Sequence, residues 1–115
     1  MTVPPVWARR AFWICIAAVL VLALMPNERQ PTTGWDKANH LLAFGTLAVL
    51  GLASWPERVR AVAAALVGYG VLIELLQALT PHRSGDWVDV VADSCGIVVG
   101  WLAWTAWKSL RRRAA

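Results

Sequence analysis

A chain of 115 residues that is 58% hydrophobic and 16% charged, with mean hydropathy +0.53, departs from soluble domains, usually ~45–50% apolar and ~25% charged. So short a chain has little interior in which to hide the excess, is too short for two domains and is too hydrophobic for disorder. An integral membrane protein remains, and its net charge of +4 does not indicate nucleic-acid binding, because no soluble basic domain carries that charge.

The hydropathy pattern predicts a single all-α domain, 1–115, built as a four-helix transmembrane bundle. The four apolar segments cover about 11–25, 38–55, 59–79 and 88–107. At ~1.5 Å per residue the last three approach or exceed the ~30 Å of a bilayer core, and the first is short. Arg9 and Arg10 before the first segment resemble a secretory signal, but no small-x-small cleavage site precedes Pro26. The segment therefore reads as a retained helix. Pro4, Pro5, Pro26, Pro31, Pro56 and Pro81 all fall between or before the segments, where a residue that breaks helical hydrogen bonding is tolerated. Cys15 and Cys95 lie in apolar segments with no CxxC spacing and read as small packing residues.

Orientation follows from the basic residues. With both termini inside, the inner face holds Arg9, Arg10, Arg58, Arg60, Lys108, Arg111, Arg112 and Arg113, and the outer face holds Arg29, Lys37 and Arg83. That asymmetry favours an N-in, C-in arrangement in a bacterial plasma membrane, with both termini cytoplasmic. Trp35 and Trp87 then lie at outer ends, and Trp7, Trp55, Trp104 and Trp107 towards inner ends, as interfacial anchors do.

Polar side chains are costly inside a membrane, so their positions are informative. The second segment opens on Asp36, Lys37, Asn39 and His40; the third closes on Glu74 and Gln77; the fourth opens on Asp86, Asp89 and Asp93. From the ~1.5 Å rise, His40 lies roughly 6 Å below its outer helix end, and Glu74 and Asp93 roughly 9 Å. These groups share one slab near the outer surface, each on a stripe that continues into small residues: Ala48 and Gly51 after His40 and Phe44, Gly70 before Glu74, Gly96 and Gly100 after Asp93. Asp36 and Asp86 also suit N-caps. Lys37 and Arg83 suit the headgroup region or pairs with neighbouring acids. A purely structural hydrogen-bonded network of His40, Glu74 and Asp93 is the plainer alternative to a pocket.

At these residues the chain resembles the VanZ-like family of small bacterial membrane proteins. The resemblance is carried by Asp36-Lys37-x-x-His40-x-x-x-Phe44, Glu74-x-x-Gln77, and Arg83-x-x-Asp86-x-x-Asp89, followed by Gly96 and Gly100. At Asp93 the chain departs from relatives, which tend to carry Asn. The founding member is associated with resistance to the glycopeptide teicoplanin, so the resemblance implies a role in glycopeptide resistance.

The favoured function is binding: an outward-facing pocket of Asp36, Lys37, His40, Glu74, Gln77, Arg83, Asp86, Asp89 and Asp93 that takes a cell-envelope ligand, a lipid-linked cell-wall precursor or the glycopeptide itself. In the outer half Glu28, Asp36, Glu74, Asp86, Asp89 and Asp93 oppose Arg29, Lys37 and Arg83, which favours amine or cationic groups. Lys37, His82 and Arg83 still offer phosphate contacts, as do two outward helix N-termini. Catalysis is the second reading, with His40, Glu74 and Asp93 as acid/base groups, but no nucleophile motif, P-loop or HExxH is present. One His with two or three carboxylates is a formal divalent-metal set, yet a single His argues against zinc, and no metal or cofactor is expected. A small dimeric proton-coupled transporter is the third reading, disfavoured because coupling groups belong near the bilayer midplane; a structural partner in a larger envelope complex is the fourth.

Overall fold

The structure, a computed structural model, describes residues 5–25, 36–80 and 86–114. It consists of α1 (Val6–Leu24), α2 (Asp36–Ser54), α3 (Val59–Ala78) and α4 (Trp87–Ala114). The all-helical expectation holds, and the two largest boundary shifts are outward, at the start of α1 and the end of α4. α1 starts five residues before the predicted 11, because Arg9 and Arg10 are good helix formers and the proline at position 5 is harmless before a first turn. α4 runs on through Arg111, Arg112 and Arg113, where basic side chains complement the negative end of the helix and neither Gly nor Pro interrupts it.

α1, α3 and α4 are long and apolar enough to cross a membrane. The polar opening of α2, with Asp36, Lys37, Asn39 and His40 in two turns, lowers the mean hydropathy of that helix. The molecule measures 52 × 23 × 23 Å. α4 alone, at ~1.5 Å per residue, is long enough to cross a ~30 Å core and project beyond it.

α2 packs most extensively against α4, and the two run parallel. Their seam is made of glycine. A Cβ on Gly96 would stand 2.5 Å from the Leu41 carbonyl oxygen, and one on Gly100 2.6 Å from that of Gly45. Only hydrogen fits at those points, so the backbones touch directly. The core below holds Phe44, Leu47, Ala48, Leu52, Leu66, Ile73 and Ile97, with Phe12 of α1 at its edge. Phe12 meets Trp55 edge-on, ring centroids 5.2 Å apart.

Two polar side chains of α3 fasten α1: Tyr69 donates its hydroxyl to the Ile16 carbonyl, and Gln77 Nε2 donates to the Ala23 carbonyl at 2.9 Å. At the other end of the bundle the Arg9 guanidinium donates to the Ser54 carbonyl at 3.3 Å and lies over the Trp55 ring. A cation there satisfies a carbonyl left over at the end of α2.

The exterior is apolar. Trp7, Trp13, Val21, Leu72, Leu75, Val91, Val98 and Leu102 all face outward, whereas Glu74, Gln77, Asp89 and Asp93 are buried. This inversion of the soluble pattern suits a hydrocarbon surround. Cys15 is half-buried, but Cys95 is exposed and does not pack among helices as expected; it lies on the outer face of α4, opposite the stripe of Asp93, Gly96 and Gly100.

Candidate functional site

Parallel packing brings the first turns of α2 and α4 side by side, and antiparallel packing brings in the last turns of α3. Lys37 and His40, three apart on α2, share a face. Asp86, Asp89 and Asp93, spaced three and four, share the facing stripe of α4. The glycine seam one turn further on sets how closely these two ladders stand.

Lys37 Nζ lies 2.8 Å from Asp86 Oδ2 and also pairs with Asp89 Oδ1. His40 Nδ1 is 2.8 Å from Asp93 Oδ1, and its Nε2 is 3.4 Å from Asp89 Oδ2. From α3, Glu74 Oε2 accepts the backbone N–H of Asp86 at 2.8 Å. Asp86 in turn caps α4, its Oδ1 accepting the Val88 N–H at 2.9 Å, the N-cap geometry expected from sequence. Asp86 is solvent-facing, and the hydrogen bond from Lys37 holds its carboxyl below the usual aspartate range.

Gly70 of α3 completes the wall. A Cβ at this position would stand 2.7 Å from Asp93 Oδ2, so the glycine leaves the space that the carboxylate fills. Glu74 and Asp93 are 2% and 1% exposed. Among the described residues, Glu74 Oε1, Asp93 Oδ2 and Gln77 Oε1 have no hydrogen-bond partner. Such oxygens are costly in a dry interior, where buried polar groups are ordinarily paired.

Of the nine predicted site residues, Lys37, His40, Glu74, Asp86, Asp89 and Asp93 meet in one connected network. Gln77 is turned towards α1, its amide nitrogen engaged by Ala23. Asp36 opens α2, but its side chain lies outside the described residues, as do Arg83 and, among the other outer-half groups, Glu28, Arg29, Trp35 and His82. Gly45, which forms the seam with Gly96 and Gly100, was missed. Its spacing of four from Leu41 and three from Ala48 is the signal that would have found it.

Chemically, the network sets four carboxylates against one ammonium and one imidazole, with Glu74, Asp89 and Asp93 buried and Asp86 facing solvent. Proton exchange, cation binding and binding of an amine are within its reach. Compared with known families, residues 10–108 match VanZ/LLP1. The chain belongs to that family. The VanZ/LLP1 match spans every member of the network, from Lys37 to Asp93. No match was found among curated proteins or among solved structures. Family membership and three apolar helices of spanning length make this a VanZ-like membrane protein.

Proposed function

We propose that this VanZ-like protein lies in the bacterial plasma membrane with both termini cytoplasmic, and that its acidic/histidine network is an outward-facing pocket for a cell-envelope ligand. The ligand is a lipid-linked cell-wall precursor or a glycopeptide, and the function is linked to teicoplanin resistance. The observation that carries the reading is the buried pair Glu74 and Asp93, each with a carboxylate oxygen that has no hydrogen-bond partner among the described residues. An amine or other cationic group would satisfy them, and Lys37 lies beside them for any phosphate on the same ligand.

The test is a His40→Ala, Glu74→Ala double variant, compared with the parent at equal membrane abundance in a teicoplanin-susceptible bacterium. The parent is expected to raise the inhibitory concentration of teicoplanin and the variant to lose that effect. A folded double variant that retains full resistance overturns the reading.

One observation favours catalysis as the second reading. Asp93 holds His40 Nδ1 at 2.8 Å while Nε2 faces the interior of the cluster, which is how a general base is oriented by a carboxylate. Hydrolysis of a lipid-linked precursor by purified protein, abolished by His40→Ala, would put this reading first.

A further inference from the structure

We propose that His40, Glu74 and Asp89 form a site for one divalent first-row metal cation, with Asp93 positioning the imidazole. One ligand atom from each of His40, Glu74 and Asp89 lies within 4.8 Å of the others. Donors on a shared metal, at bonds of ~2.0–2.2 Å, stand roughly 3–4.4 Å apart. Closing the set from 4.8 Å takes a few tenths of an ångström if the widest pair lies trans on the metal and about 1 Å if it is tetrahedral, which rotation of the carboxylates supplies.

An independent observation points to a ligand. Glu74 is 2% exposed and anchored through Oε2 to the Asp86 N–H, while its Oε1 has no partner among the described residues. A carboxylate fixed through one oxygen with the other left over in a buried acidic cluster is arranged for a cation.

The histidine is oriented accordingly. In the neutral tautomer that donates Nδ1–H to Asp93 Oδ1, 2.8 Å away, the ring turns Nε2 towards Asp89 Oδ2 at 3.4 Å, the side on which a metal would replace the Nε2 proton of the charged ring. That separation exceeds the ~2.7–2.9 Å of a charge-assisted hydrogen bond and matches two donors on one metal. A carboxylate behind a metal-binding imidazole is the usual supporting arrangement. Lys37 occupies the other oxygen of Asp89, so it need not leave, but its charge opposes the incoming cation. The donor set is the one His and two carboxylates already legible in sequence, where the single His argued against zinc; what the structure adds is their convergence within 4.8 Å. One nitrogen and two oxygens suit Mn2+ or Zn2+ better than the all-oxygen preference of Mg2+ or Ca2+.

The test uses the full chain in nanodiscs, stripped with chelator and titrated with MnCl2, with free Mn2+ read by electron paramagnetic resonance and Zn2+ added as competitor. One equivalent of Mn2+ per chain, displaced by Zn2+, is expected, with binding lost in Glu74→Gln and in Asp89→Asn. Lys37→Met removes the opposing charge and is expected to tighten binding by about tenfold; it keeps the test decisive if the acid variants fail to fold. Absence of binding by the parent protein, binding by folded Glu74→Gln equal to the parent, or no tightening in folded Lys37→Met each overturns the site. The site shares Glu74 Oε1 with the envelope-ligand reading but does not rest on it: Mn2+ bound by a protein that confers no resistance keeps the site and overturns only that reading.

Discussion

Asp86 joins three of the four helices through one residue. Its Oδ1 caps α4 through Val88, its Oδ2 takes the ammonium of Lys37 from α2, and its own N–H is fixed by Glu74 from α3. Because Lys37 stabilises the ionised form, the folded-state pKa of Asp86 lies below that of an unfolded chain. The stability linked to this charge is therefore fully present above the ordinary aspartate pKa and is lost as pH falls through the lower folded value. Asp86→Asn isolates that contribution, since Asn caps a helix about as well as Asp. The parent is expected to unfold at a higher temperature than Asp86→Asn, by a gap that stays flat from about pH 7 to about pH 4 and closes only below that. Thermal unfolding in detergent at a series of pH values checks it, and a gap already closed near about pH 6 contradicts the assignment.

At the scale of elements, the seam between α2 and α4 sets the site, because the acids of α4 reach Lys37 and His40 only if the backbones touch one turn deeper. Gly96→Ala places its new Cβ 2.5 Å from the Leu41 carbonyl oxygen, which is backbone and cannot rotate away. The helices must separate, at a cost of about 1–3 kcal/mol. Gly68→Ala is the matched control, since a Cβ there meets nothing within 4 Å and helix propensity favours Ala by up to about 1 kcal/mol. Thermal unfolding of the two variants should therefore shift in opposite directions, and equal destabilisation would show that the seam is not specific. Much of this was legible in the chain. The stripe of Asp89, Asp93, Gly96 and Gly100 is written in three- and four-residue steps, and that periodicity survives as the buried face of α4. The partner glycine was not legible, because Gly45 lies off the stripe of His40, Phe44 and Ala48, and only the parallel register brings Leu41 and Gly45 against α4. Likewise Glu74 and Gln77 share a helix face, but neighbours divide them: α4 presents a backbone N–H to Glu74, and α1 presents a carbonyl to Gln77. Sequence spacing assigns a face; it does not say which neighbour stands there.

At the scale of the whole molecule, charge is sorted by end. Network acids gather where α2 and α4 begin and α3 finishes, whereas Arg9, Arg58, Arg60, Lys108 and Arg111 to Arg113 gather where α1 and α3 begin and α2 and α4 finish. Arg9 and Arg111 lie over Trp55 and Trp107, at 5.3 and 4.8 Å, pairing cations with the aromatic rings that favour the headgroup level. The basic end should thus remain cytoplasmic, where Lys and Arg are retained during insertion, and the acidic end should face outward. A fluorescent protein fused after Ala115 reports this directly, because the usual one matures only in the cytoplasm, while alkaline phosphatase inserted within residues 81–85 is active only outside. Bright fluorescence from the first fusion and phosphatase activity from the second are expected. The reverse pattern would turn the network towards the cytoplasm, away from cell-wall precursors on the outer leaflet. It would overturn the envelope-ligand reading while leaving the metal site intact, since coordination by His40, Glu74 and Asp89 does not depend on which side of the membrane they face.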